Sequence, residues 1–337
     1  MDMYIKGYKF NEPVAFRKQS MSRKKKQSYV AGDLIINPDV PNYPSRSDEK
    51  IMRQDVKGSI LIINELIESL ALKNVENLPL YVANGAFVEN IEKHLNRIVT
   101  VFRSVEKDAS EADKIRKVYR AVPPLLALET LTNSTMSFIA QYTGIKGNNA
   151  TFGNTSISAL HALQEARIAL LNSSLAVVNS SNCGGDYSYL TNSSVLGHVN
   201  EWKESTGVAC LLLGNAHSYE GTSLAKITEL RNSFKVPNLE TKGIERNWSE
   251  ILIDNNADAI ICSGAYSESE NKADEFYCKK FNNNVFSYFN SLGNMGPSNV
   301  FFGVIKAVNL IEQECKIVDV LDRDVFGRES VIRVEKC

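Results

Sequence analysis

The sequence predicts an α/β fold made of two halves of related strand–helix alternation, packed in layers. Three observations carry this expectation. Short apolar runs at Leu175–Val178, Val208–Leu213 and Ala257–Cys262 read as buried strands, and segments with apolar residues at helical spacing lie between such runs. The stretch GIKGNNATFGNTSISALHALQEARIALL, Gly144–Leu171, orders a glycine-punctuated turn, a strand end at Thr151-Phe152 and a long Ala- and Leu-rich helix. Beyond it the alternation repeats, with a helix over Asn247–Asn255, a strand over Ala257–Cys262, and strand, loop and helix across Asn284–Leu310.

At 337 residues the chain can bury a large core, as one big domain or two fused halves. Its hydrophobic content of 43% and charged content of 23% are those of an ordinary globular protein. A formal net charge of -1 gives no reason to expect nucleic acid or membrane as a partner. The six cysteines are scattered without a C-x-x-C pair, which suits reduced thiols rather than a disulfide frame or zinc site, and the four histidines add no metal cluster. The first residues, MDMYIKGYKF, lack the apolar core of a signal peptide, and no run approaches the ~18 apolar residues of a membrane helix. A cytoplasmic address is expected.

In chain order, Met3–Lys9 alternates as a strand, and Arg17–Lys26 (RKQSMSRKKK) is a basic cluster that reads first as a solvated loop or edge. Asn37–Ser47 is a proline-rich loop. Ser47-Asp48-Glu49-Lys50 stands ready to cap a helix carrying Ile60, Ile63, Leu66 and Leu70. Pro79–Val82 is a short strand, followed by a helical stretch and the charged segment Ser104–Lys117. Thr155 or Ser156 is placed to cap the central helix, whose N-terminus offers free N–H groups and the positive end of a dipole, where several enzymes keep a nucleophile.

These residues resemble the β-ketoacyl synthases, enzymes of the thiolase fold. Gly144–Leu171 resembles their nucleophile segment, a G-x-K-G-P-N turn followed by T-A-C-A-S-S-L-x-A-L-H. Ile51–Leu70 is similar to their R-M-x-R-x-x-x-x-A-L-x-A-A-x-E-A-L helix, and Pro123–Ala140 to the P-x-x-x-x-N-x-x-x-x-x-I-A that precedes the nucleophile turn. Cys183-Gly184-Gly185-Asp186 stands in the region of their G-G-x-E, Ser263–Ser267 at A-H-G-T-S/T, Ser291–Asn294 at x-x-G-H, and Asp324–Ile332 at the closing F-G-F-G-G-x-N. The resemblance runs from about Tyr4 to Val334 and implies two duplicated βαβαβαββ halves in a layered αβαβα arrangement. It puts the halves at 1–215 and 216–337, forming one unit.

It also implies a loss. Decarboxylative condensation needs a thiolate to carry the acyl chain and two donors, usually histidines, to stabilise an enolate. In this correspondence the cysteine becomes Gly153, the first histidine Gly264, the second Asn294, and the lysine five positions before it Phe289. The Gly-Gly of the closing loop becomes Gly327-Arg328. No catalytic residue, cofactor or metal is therefore expected, although Asn294 retains a side-chain donor.

The function this implies is that of a chain length factor, a degenerate paralogue paired as a heterodimer with an active ketosynthase in a type II polyketide, aryl polyene or fatty-acid-like pathway. Acyl carrier protein is then a partner, directly or through the synthase, and the basic Arg17–Lys26 is a candidate dock for it. Two alternatives remain: a thiolase-fold acyltransferase with a relocated nucleophile such as Thr155 or Ser156, and a non-catalytic acyl-binding homodimer. His161 reads as a packed, hydrogen-bonded core histidine, since residues five apart on a helix do not face one another. His94, His198 and His217 read as packing or surface residues, Cys183 as a small buried residue, and Met136, Phe138 and Trp202 as core aromatics and aliphatics or tunnel plugs.

Overall fold

Ten strands run side by side in one sheet, and their order reads the same from either end. The computed structural model describes residues 1–11, 15–20, 28–33, 45, 48, 51–85, 91–105, 109–122, 131–153, 155–183, 202–216, 223–234, 256–265, 268–282, 284–324 and 328–337. Its strands are β1 Met3–Asn11, β2 Ala15–Ser20, β3 Ser28–Asp33, β4 Leu80–Asn84, β5 Asn149–Phe152, β6 Leu175–Asn182, β7 Trp202–Ser205, β8 Gly207–Gly214, β9 Ala225–Phe234, β10 Ala259–Cys262, β11 Val285–Ser287, β12 Ile317–Arg323 and β13 Arg328–Glu335. Its α-helices are α1 Gln54–Ser69, α2 Ile91–Arg103, α3 Glu111–Ala121, α4 Thr132–Thr143, α5 Ile157–Ala169, α6 Glu268–Cys278, α7 Phe289–Leu292 and α8 Pro297–Glu312.

The large sheet runs β11-β10-β12-β13-β9-β1-β8-β6-β4-β5, and β2-β3-β7 form a separate small sheet. Within the large sheet each half of the chain contributes five strands, ordered third, second, fourth, fifth, first from the outer edge inward. Pairing directions match as well: second with third and second with fourth are parallel, while fourth with fifth and fifth with first are antiparallel. The halves meet where β1 pairs antiparallel with β9, Met3 opposite Ile227 and Ile5 opposite Ala225.

Strand alternation sorts these residues into layers. Tyr81, Ala83, Ala176, Val178, Ala209 and Leu211 pack inward with Leu160 and Leu163 of α5 and with Val304 and Val308 of α8. Their neighbours Leu80, Val82, Val177, Cys210 and Leu212 pack outward with Ile60 and Ile63 of α1 and Ile139 of α4. In the second half Ala259, Ile261, Val318, Val320 and Ile332 face inward, whereas Ile260, Cys262, Leu321 and Val331 join Cys278 of α6 outside. The two five-stranded halves of the large sheet thus lie on either side of α5 and α8, giving helix, sheet, helix, sheet, helix. Helix α8 is apolar nearly all round, as a helix buried on all sides must be, whereas α5 keeps His161, Gln164, Glu165 and Arg167 on a partly exposed side.

Two local expectations change. Helix α1 begins after Arg53, not at Ser47-Asp48, because Asp48 turns the chain through its carbonyl to Ile51 and Met52 and gives its carboxylate to the Tyr142 hydroxyl at 2.5 Å. The helix start is fixed instead by the buried pair Arg53–Asp55, with Nε–Oδ1 at 2.9 Å and Nη2–Oδ2 at 3.0 Å. The charged segment Ser104–Lys117, read without an element, has its second half, 111–117, in α3, which is capped by the Ser110 hydroxyl accepting from Asp113 N at 3.1 Å. Met136 and Phe138 lie on α4 and pack against the outer core of the first half. Arg17 and Lys18 lie on β2, an outer strand of the small sheet. Residues 21–26 of that basic cluster, the expected helix over 247–255, most of the loop over 37–47, 123–130, the turns at 184–186 and 325–327, His198, His217 and the side chains of His94 and Trp202 fall outside the described residues.

Candidate functional site

Helix α5 starts at the centre of the molecule, where strands of the second half end. Gly153 follows β5 and is exposed; Thr155 and Ser156, just before the first helical turn, are buried. Ser156 occupies the N-cap position but makes no capping hydrogen bond. Its hydroxyl faces the Asp322 carboxylate, near enough to favour the charged carboxylate while outside hydrogen-bond geometry. Thr155 likewise leaves its hydroxyl without a partner, while its carbonyl accepts from Ser158 Oγ at 2.7 Å.

Asp322, the last residue but one of β12, is buried. Ser263 Oγ lies 3.3 Å from Asp322 Oδ1 and 3.0 Å from the Leu321 carbonyl, so its one proton serves either acceptor. Burial is the main cause that pushes the Asp322 carboxyl up to about 7, and Asp324 adds to it; Ser156, Ser263 and Arg323 pull the other way. Around this acid the charges are paired. Arg323 reaches Glu270 at 3.3 Å and Asp274 at 3.5 Å on α6, and Arg328 Nε meets Asp324 Oδ2 at 2.7 Å.

Gly264 follows Ser263 with no room for a side chain. A Cβ there would stand 2.4 Å from the Arg323 amide nitrogen and 2.5 Å from its carbonyl oxygen, both backbone atoms. Asn294 is next to it: Nδ2 donates to the Ala265 carbonyl at 3.0 Å and Oδ1 accepts from Gly296 N at 2.8 Å. The donor that the sequence left to Asn294 is thus engaged with backbone. Phe289 opens α7 as a buried side chain, and its carbonyl accepts from Gly293 N at 2.9 Å. Ser156, Asp322 and Ser263 therefore meet at the start of α5, Gly264-Ala265 continues from Ser263 to the Asn294 amide, and Gly153 lies just upstream in the chain.

The cysteines nearest in sequence turn elsewhere. Cys262 packs outward with its sulfur 3.4 Å from that of Cys278, and Cys183 is buried at the end of β6. His161 packs edge-on to Phe152, ring centroids 6.2 Å apart, and burial with help from Arg328 lowers its pKa. The hydrogen bond expected for it is not found among the described residues. Sequence reasoning missed Asp322, Arg323 and Asp324; their signal was a charged triplet closing the apolar strand Ile317–Leu321.

No family model and no curated protein matches this chain. Solved structures do. A β-ketoacyl synthase from Burkholderia phymatum STM815 superposes with a TM-score of 0.68 at 11% identity, covering 99% of each chain. The fold is the ketosynthase fold. The ketosynthase from module 6 of the bacillaene synthase of Bacillus subtilis 168 gives a TM-score of 0.63 at 13% identity, over 100% of this chain and 71% of the other. A type II polyketide synthase acyl-carrier protein in complex with its ketosynthase bound to the hexaketide gives 0.64 at 14%, over 91% and 90%. On this ketosynthase scaffold the start of α5 presents hydroxyls and a buried carboxyl. Such a set can exchange a proton near neutral pH, and it has no thiolate to hold an acyl group. Among the described residues no helix is long and apolar enough to cross a membrane.

Proposed function

We propose that this chain is a ketosynthase-fold subunit without condensing chemistry of its own, which pairs with an active, cysteine-bearing ketosynthase in the manner of a chain length factor. The observation that carries the proposal is Gly264: backbone packed 2.4 Å from the place of a Cβ excludes a histidine there unless the Arg323 strand end moves. The positions read as degenerate, Gly153, Gly264, Asn294 and Phe289, then supply no thiol, no imidazole and no ammonium group. What remains is wall and contact surface, and an obligate partner interface needs nothing more.

We assign the halves as 1–215 and 216–337 of one unit, a cytoplasmic address, and a pathway that builds polyketide, aryl polyene or fatty-acid-like chains. An acyl carrier protein is a partner through the synthase; its support is that one similar structure is a carrier protein in complex with its ketosynthase. Co-expression with an intact ketosynthase encoded beside it, followed by size exclusion, is expected to give a stable 1:1 complex. A homodimer indifferent to the synthase contradicts the pairing.

One observation favours a second reading. Asp322, poised near neutrality opposite Ser156 at a helix start, is the kind of couple a relocated acyltransferase would need. Acyl-thioester turnover by the purified chain, abolished in both Ser156→Ala and Asp322→Asn, would establish that enzyme in place of the subunit.

A further inference from the structure

Further along α8, Phe302, Ile305, Lys306 and Asn309 recur at helical spacing and line one side of a cleft of about 300 Å³. Phe10 of β1 and Tyr288, just before α7, line it from the other elements. Phe10 stands edge-on to Phe302 with centroids 5.2 Å apart and stacks with Tyr8 at 6.5 Å, which sets two aromatic walls.

Three polar side chains of the cleft have a donor to offer, while the hydroxyl of a fourth, Ser291, donates to the Tyr288 carbonyl at 3.1 Å. Lys306 Nζ lies 5.7 Å from the Phe286 ring centre, and no carboxylate pairs with it among the described residues. Asn309 accepts from the Tyr8 hydroxyl at 2.8 Å through Oδ1, which fixes its amide and leaves Nδ2 to donate. The Tyr288 hydroxyl has no acceptor among the described residues, and burial raises its pKa, so it stays protonated. A cation, an amide N–H and a phenol beside aromatic walls call for a flat apolar body ending in an anionic acceptor.

We propose that this cleft binds a small aromatic carboxylate, its ring against Phe10 and Phe302 and its carboxylate on Lys306 and Asn309. The site is separate from the start of α5 and does not depend on the subunit reading. Calorimetric titration of the full chain with 3-phenylpropionate and with its neutral amide, 3-phenylpropanamide, tests it. Saturable binding of the acid with a Kd of about 1 mM or tighter is expected, with the amide at least about tenfold weaker. In Lys306→Met, which keeps the apolar stem, acid and amide become equal. Ser291→Trp, which adds bulk at an exposed lining position, weakens both; thermal melts check that each variant is folded. Equal affinity for acid and amide in the wild-type protein, an unchanged acid affinity in folded Lys306→Met, or no saturable binding of the acid overturns the proposal.

Discussion

The two central helices begin in equivalent places and are held in opposite ways. At the start of α8, Gly296 sits against Asn182 at the end of β6; at the start of α5, Ser156 sits against Asp322 at the end of β12. The equivalence is backbone-deep, since Gly85 N donates to Ser181 O at 2.7 Å just as Ser263 N donates to Leu321 O at 2.9 Å. Around α8 the groups are neutral: Asn182 Nδ2 donates to Ser205 O at 2.9 Å, Asn299 Oδ1 accepts from Met295 N at 2.8 Å, and Ser298 Oγ donates to Gly207 O at 2.8 Å. One donor there, Asn299 Nδ2, is left over. Around α5 an ionisable acid is buried beside two hydroxyls without partners. The first end reads as a structural joint, and the second is polar and incompletely hydrogen-bonded around a buried acid.

The largest break is expected at Gly264. Gly264→Ala should cost more than about 3 kcal/mol in urea unfolding, because the added carbon meets two backbone atoms of Arg323, which cannot yield as a side chain would. Gly264→His should be worse and should restore no condensation. Asn182→Asp, which puts a buried carboxylate against the Ser205 carbonyl and makes the α8 end resemble the α5 end, should cost about 2–4 kcal/mol at pH 8.

The reverse exchange, Asp322→Asn, should stabilise. Asp322 has a folded pKa of about 7, above the ordinary value of 3.8, so the folded state holds a proton that the unfolded state has released. Stability from this group is full below about pH 4, falls as pH rises to about 7, and is flat above. Asp322→Asn should remove that slope and gain about 1–3 kcal/mol at pH 8, read from unfolding curves across pH. The smallest effect separates a true cap from a vestigial one. Ser110→Ala should cost about 1 kcal/mol, and Ser156→Ala within about 0.5 kcal/mol, because only Ser110 makes its capping bond.

Much of this architecture was legible in the sequence, for physical reasons. The apolar stretches 176–178, 208–213 and 259–262 are buried on both faces, which leaves an uninterrupted signal, and Gly144 marks the end of α4 at φ +78°. Strand β9 and helix α6 were not read: β9, Ala225–Phe234, is half exposed and carries Lys226, Glu229 and Arg231, and α6 has a charge-rich sequence with little apolar periodicity. At the site, a motif frame of glycines and spacing pointed to Gly153, Gly264 and Asn294. It was silent on Asp322, whose importance comes from burial and from a partner far away in the chain; neither has a local signature.

Acyl loading tests the central claim most directly. The purified chain, incubated with an acyl-thioester and malonyl-thioester, can be followed by intact mass spectrometry together with carbon dioxide release. The mass is predicted to stay unchanged, with no carbon dioxide above the buffer rate, alone and with Gly153→Cys. A stoichiometric acyl adduct on the wild-type chain, or decarboxylation by it without a partner, would contradict the account.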